Sequence, residues 1–304
     1  MPTPNFTDDL RLSHVLADDA DSLTTTRFKA MDLHVVNKTD FTPVTDADTS
    51  VEEGIRRTLS RARPRDAVLG EEQGSSGWSQ RRWIVDPIDG TKNFVRGVPV
   101  WATLIALVVD EEVVVGCVSA PQLNRRWWAS KGGGAWTGRS LLRATECRVS
   151  DVSRLEDASL SYSSLSGWEE RERLDDFLAL SRRCWRTRAY GDFWSYMLVA
   201  EGAVDLAAEP ELEVYDMAAL DVIVREAGGT FTSLDGTPGP LGGNALASNG
   251  RVHDQALAFL GSLPDDEDDP DVQPRRSGSV HNISSRRRGP AQEETQEERD
   301  PEPD

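Results

Sequence analysis

Residues 83–94 read Trp83-Ile84-Val85-Asp86-Pro87-Ile88-Asp89-Gly90-Thr91-Lys92-Asn93-Phe94. An apolar run ends in a carboxylate, turns through proline, presents a second carboxylate and opens a new segment at Gly90-Thr91. Upstream, Leu69-Gly70-Glu71-Glu72 repeats the pattern: an apolar strand stops at glycine and then shows two acids. Acids at the ends of neighbouring strands can converge on hard cations that take oxygen ligands. No histidine stands beside these acids, which disfavours zinc. If Thr91 begins a helix, the backbone N–H groups after Asp89 face an anion. Each fragment alone reads as an ordinary turn or a solvated loop; their order along the chain is far more specific.

Outward from this stretch the chain alternates helix and strand. An apolar stripe through Leu12, Val15, Leu16, Leu23, Phe28 and Met31 predicts a first helix capped by Thr7. Val51, Ile55 and Leu59 predict a second, 47–61. Strands are expected at 67–70, 83–85, 100–109, 113–120, 127–130, 159–161, 185–188, 204–208, 230–232 and 245–247, with a hairpin turn at Asp110-Glu111-Glu112. Helices are expected at 168–181, 192–201, 216–227 and 252–260, the third stopped by Gly228-Gly229. The pattern is a mixed α/β protein built in layers.

The bulk numbers bound the function. The 304 residues suffice for a large core, and 38% hydrophobic with 28% charged residues is ordinary for a globular chain. No apolar run reaches transmembrane length. Met1–Leu10 lacks the basic start and apolar run of a signal peptide. Three scattered cysteines form neither a disulfide framework nor a zinc motif, so a reducing cytoplasm is expected. A net charge of −18 argues against a nucleic-acid surface. Residues 264–304 carry thirteen acids and six arginines with almost no large apolar side chains, so this segment is expected to be a disordered tail following a single body, 1–263. An acidic body that binds an anion at those N–H groups needs cations to offset the repulsion.

The blocks Lys38–Asp48 (K-T-D-F-T-P-V-T-D-A-D), Gly70–Glu72, Trp83–Phe94 and Tyr215–Gly229 (Y-D-M-A-A-L-D-V-I-V-R-E-A-G-G) together resemble the inositol monophosphatase superfamily. The resemblance spans nearly all of 6–263 and implies a layered α-β-α-β-α sandwich, a homodimer and a Mg²⁺ site. It implies that Glu71, Asp86, the Ile88 carbonyl, Asp89 and Asp216 hold Mg²⁺. It further implies that Glu71 and Thr91 orient the attacking water, that Asp48 bonds the Thr91 hydroxyl, and that the Gly90 and Thr91 amides hold phosphate. Tyr215 departs from the pattern, which usually has tryptophan there; both are aromatic, so Asp216 is expected to keep its role. The pattern D-P-I-D-G-T differs from the D-x-D-x-T of phosphatases that form an aspartyl-phosphate.

Lys92, the run Gly97–Leu107, the segment R-R-W-W-A-S-K-G-G-G-A-W and Ala189–Trp194 resemble the actinobacterial histidinol-phosphate phosphatase branch of that family. Glu209 stands six residues before the aromatic of the last block, where inositol-type members read substrate hydroxyls. Asp192 follows Gly191. Two carboxylates near the leaving group suit a cationic substrate such as histidinol phosphate better than a neutral polyol; the plainer reading of Asp192 is a helix cap. The alternatives are inositol 1-phosphate, fructose 1,6-bisphosphate or a 3′-phosphoadenosine phosphate as substrate, and a non-catalytic binding role. The intact set Glu71, Asp86, Asp89, Thr91 and Asp216 argues against the last.

Overall fold

The computed structural model describes residues 5–38 and 42–261; the expected tail, 264–304, lies outside them. In chain order the elements are α1 (Thr7–Arg27), β1 (Val35–Asn37), β2 (Pro43–Thr45), α2 (Asp46–Ala62), β3 (Ala67–Gly70), β4 (Gly74–Ser76), β5 (Arg81–Asp89) and α3 (Thr91–Arg96). There follow β6 (Ala102–Val109), β7 (Glu112–Ala120), β8 (Arg125–Ser130), β9 (Ala135–Ser140), β10 (Arg143–Glu146), β11 (Ser159–Ser161), α4 (Leu165–Glu170), α5 (Leu174–Arg183) and β12 (Arg186–Arg188). The last are α6 (Asp192–Ala200), β13 (Leu206–Glu209), α7 (Val214–Glu226), β14 (Thr230–Thr232), β15 (Ala245–Ser248) and α8 (His253–Leu260).

Besides the small antiparallel pair β1–β2, two larger sheets organise these elements. One runs β10-β9-β8-β7-β6-β5-β3-β4, antiparallel except where β3 meets β5; the other runs β12-β11-β13-β15-β14. Strand alternation then sorts the cores. On β5, Trp83 and Val85 point to a core with Leu16, Val51 and Ile55 of α1 and α2, whereas Ile84 points to the opposite face. That opposite face packs on α6 and α7, through residues such as Phe193, Met197, Val222 and Ile223. The far side of the same helices meets Ala207 of β13 and Ala245 and Ala247 of β15. The intervening Leu206, Ala208 and Leu246 face Trp168, Phe177 and Leu180 of α4 and α5 and Ala256 of α8. The result is the expected five-layer α-β-α-β-α sandwich, with α6 and α7 in its middle. Among the described residues, no helix is long and apolar enough to cross a membrane.

Several expectations need correction. Thr7 does not cap α1: Phe6 is the N-cap residue, and Asn5 Oδ1 accepts the Thr7 amide at 2.9 Å. Val15 is half-exposed and Met31, beyond the helix end, is fully exposed, so neither belongs to the apolar stripe. The helix expected at 168–181 is two helices, broken around Glu172, whose φ is 57°. β5 does not stop at Val85 and turn; it runs on to Asp89 with an irregular register between Asp86 and Asp89. Pro87 has no N–H to give the ladder, so the strand bulges instead of ending. The hairpin at 110–112 holds: Asp110 and Glu111 both take positive φ, as a tight turn between twisted strands requires.

Candidate active site

The bulge in β5 creates the site. Residues three apart on a regular strand face opposite sides of the sheet. The extra residue at Pro87-Ile88 cancels that alternation and brings Asp86 and Asp89 to one side. Asp216, on the first turn of α7, meets them from the middle layer. One oxygen from each of Asp86, Asp89 and Asp216 lies within 4.8 Å of the others.

Backbone amides aim these carboxylates. Asp86 Oδ1 accepts Ile88 N at 2.9 Å, Asp89 Oδ2 accepts Phe193 N at 2.7 Å, and Asp216 Oδ2 accepts Glu213 N at 2.8 Å. Burial and the neighbouring negative charges raise Asp86 and Asp89 well above the usual carboxylate range, and lift Asp216 to about 7. Three crowded acids, each with a second oxygen for a ligand bond, are an all-oxygen donor set that a hard divalent cation fits. The charge of that cation would remove the repulsion that now favours their protonated forms.

Glu71 stands beside this trio rather than within it. Its Oε1 accepts Lys38 Nζ at 2.7 Å, and the same ammonium donates to Glu72 Oε1 at 2.7 Å. Burial first, then the adjoining acids, lift Glu72 to about 7 despite the lysine. Thr91 begins α3, as anticipated, after Gly90, which holds φ 84°. A side chain there would be strained, and its Cβ would lie 3.1 Å from Val100 O. The Thr91 hydroxyl donates to Ile88 O at 2.8 Å and lies 3.4 Å from Asp48 Oδ1. It has one proton, and the shorter contact takes it. Asp48 is fully buried, and its other oxygen accepts Thr45 N at 2.8 Å, closing the N-terminus of α2. Burial lifts Asp48 to about 6.

Lys38, Glu71, Thr91, Asp192, Tyr215 and Asp216 are among the residues lining a cavity of about 990 Å³. Lys92 also lines it. Asp192 is not a helix cap. Gly191 is the N-cap residue of α6, with no side-chain cap bond, and Asp192 takes φ 48° with Oδ2 accepting Asn93 Nδ2 at 2.9 Å. Burial lifts Asp192 to about 6. Glu209 sits one layer deeper, only 6% exposed, and its Oε1 accepts the Ser163 hydroxyl. Burial lifts Glu209 to about 8. Ser163 Oγ in turn accepts the Asp192 backbone N–H at 2.9 Å, so one hydroxyl links the Glu209 carboxylate to the backbone at Asp192.

Lys38, Asn93 and Ser163 carry these contacts without having been assigned roles from sequence. Lys38 and Asn93 lie inside the quoted motifs, which was a usable signal. Ser163 is one serine in Ser161-Tyr162-Ser163-Ser164, and nothing local distinguishes it.

A layered sandwich with clustered acids at a bulged strand end, under a mouth of both charge signs, is an all-oxygen site suited to a hard divalent cation. The chain belongs to the inositol monophosphatase family, which matches residues 11–261 and is generally metal-dependent. It is 66% identical over 261 residues to a histidinol-phosphatase of Streptomyces coelicolor, covering 84% of this chain and 98% of that one. It is 59% identical over 254 residues to a histidinol-phosphatase of Mycobacterium tuberculosis, covering 83% and 98%. Among solved structures, an inositol monophosphatase from Zymomonas mobilis superimposes with a TM-score of 0.75 at 32% identity, over 85% of this chain and 99% of that one.

Proposed function

We propose that this protein hydrolyses histidinol phosphate to histidinol and phosphate with the help of Mg²⁺. The carrying observation is the convergence of Asp86, Asp89 and Asp216, in a chain 66% identical to a histidinol-phosphatase over 98% of that relative. Asp86, Asp89, Asp216, Glu71 and the Ile88 carbonyl would hold the cations. Bound Mg²⁺ supplies positive charge against the phosphate and acidifies water.

The chain's own groups do the positioning. The first N–H groups of a helix have no intrahelical partner, so the amides of Gly90 and Thr91 are free to take phosphate oxygens. The Thr91 hydroxyl and the Glu71 carboxylate orient the attacking water in line with the leaving oxygen. Thr91 is held for this by Ile88 O, and Asp48, locked into the cap of α2, stands behind it. The ion pair from Lys38, 2.7 Å from Glu71 Oε1, holds that carboxylate toward the mouth. Asp192 on the cavity lining, with Glu209 behind it and tied to its backbone through Ser163, would favour a leaving group carrying an ammonium and an imidazole.

The test is phosphate release from histidinol phosphate and from inositol 1-phosphate, side by side, with Mg²⁺, with a chelator and with Ca²⁺. Histidinol phosphate should be the better substrate, Mg²⁺ should be required, and Ca²⁺, too large for tight octahedral geometry, should inhibit. Full activity after exhaustive chelation would sink the cation assignment. A preference for inositol 1-phosphate would sink the substrate.

A further inference from the structure

Glu52 has no place in the chemistry above, yet it is fully buried, at 0% exposure. It sits on α2 one turn beyond Asp48, so the two carboxylates lie on one helix face. A buried carboxylate must be satisfied by hydrogen bonds or a counter-charge. Glu52 Oε2 accepts Glu72 N at 2.7 Å, and Oε1 accepts Gln73 N at 3.1 Å and Arg56 Nε at 2.8 Å. Arg56 continues to Ser76 Oγ at 2.7 Å and to the Gly74 carbonyl. One acid and its guanidinium therefore hold the turn that leaves β3.

Glu71 is caught between two fixed points. Its own N–H donates to Val85 O at 3.2 Å, extending the pairing of β3 with β5. The next two N–H groups end on Glu52. The direction of the Glu71 side chain is thus set by a strand bond on one side and by Glu52 on the other. Gly70 supplies the independent observation: a Cβ there would lie 2.2 Å from Glu52 Oε1. The carboxylate occupies the space a side chain at 70 would fill, which is a physical reason for glycine before Glu71. A role confined to neutralising Arg56 would not need both oxygens on the backbone of the turn.

We propose that Glu52 is a positioning residue that fixes the direction of the Glu71 carboxylate and so sets the divalent-cation affinity of the site. The proposal rests on the reading of Glu71 as a cation ligand. Glu52→Gln keeps the shape but turns an amide NH₂ toward an N–H or the guanidinium, donor against donor. Gly70→Ala displaces the same carboxylate from the other side while leaving Glu52 in place.

The experiment is calorimetric titration of Mg²⁺ alone into the chelator-stripped full-length protein, for wild type, Glu52→Gln, Gly70→Ala and Glu71→Gln. Circular dichroism and melting curves establish that each is folded at the titration temperature. Glu52→Gln and Gly70→Ala should each weaken Mg²⁺ binding by about 10–100-fold, the range seen when partners of metal ligands are removed. A purely structural Glu52 would lower the melting temperature and leave the affinity of the folded protein at the wild-type value, which overturns the proposal. If Glu71→Gln binds Mg²⁺ as wild type does, the ligand reading falls and takes the proposal with it. If Glu71→Gln binds weakly while Glu52→Gln binds normally, the proposal alone falls. Should Glu52→Gln fail to fold, Gly70→Ala carries the test with the same outcomes.

Discussion

Replacing Asp89 by asparagine separates the repulsion among the acids from their service to a cation. The substitution conserves shape, and the asparagine oxygen can still accept Phe193 N, the bond that Asp89 makes at 2.7 Å. Its NH₂ then becomes a donor among acceptors, where Asp86 and Asp216 lie with oxygens inside 4.8 Å. At that separation two full charges repel by about 3 kcal/mol in an effective dielectric of ~20. Proton uptake, already favoured by the raised Asp216, relieves part of this, leaving ~1–2 kcal/mol to be recovered by the substitution. The metal-free variant should therefore melt higher than metal-free wild type, by roughly 2–8 °C for a domain of this size. With Mg²⁺ the order should reverse. A ligand at 100 times its Kd stabilises by about 2.7 kcal/mol, or roughly 5–11 °C, and the variant should lose most of that gain. Paired melting curves in chelator and in Mg²⁺, with phosphate release measured alongside, give the answer. Turnover should nearly vanish while the fold persists. A variant that melts below wild type in chelator, or gains as much from Mg²⁺ as wild type does, would refute the reasoning.

Glu209→Gln and Asp192→Asn should each lower kcat/KM for histidinol phosphate about 10–100-fold more than for a small neutral phosphate ester, the equivalent of one charge-assisted hydrogen bond; an unchanged ratio would remove these carboxylates from substrate recognition. The metal-free protein should lose stability as pH rises from about 4 to 8. Burial lifts Asp48, Asp192, Asp216 and Glu209 to about 6, 6, 7 and 8, above the ordinary carboxylate range, so the native state binds more protons across that window. A melting temperature in chelator that climbs with pH over that interval would contradict the raised values. Deleting 264–304 should leave activity and melting temperature nearly unchanged, because its composition cannot build a core; a loss of several degrees would show that it packs on the body.

The layered architecture was legible because strand and helix periods are local. Trp83, Ile84 and Val85 alternate between two cores as a buried strand must, and Val51, Ile55 and Leu59 recur at helical spacing. The acids were legible because they sit where those periods end. What escaped depends on partners far along the chain. Pro87 signals a turn when only its neighbours are read; β6 and the Thr103 hydroxyl, which donates to Pro87 O at 2.8 Å, keep the segment in the sheet. The break between α4 and α5 has no glycine or proline to announce it. Lys38 meets Glu71 across 33 positions, and Glu52 meets Glu72 across 20, distances over which no pattern in the sequence speaks. Asp192 looked equally like a cap because a polar residue at a helix start is ambiguous until its side chain is seen reaching Asn93.

The middle layer has a consequence for how the site breathes. Phe193 and residues 217–224 are buried between both sheets. The amide that aims Asp89 and the helix that carries Asp216 should therefore exchange their hydrogens only when the whole body opens. The opposite wall is different: Lys38 directly follows β1, which pairs antiparallel with β2 and is exposed at all three residues. Such an arm opens at far lower free energy than the core. Opening there should reach Lys38 and leave Asp86, Asp89 and Asp216 still, so the lysine contact exchanges on a faster clock than the aspartates, which keep their places until the protein melts.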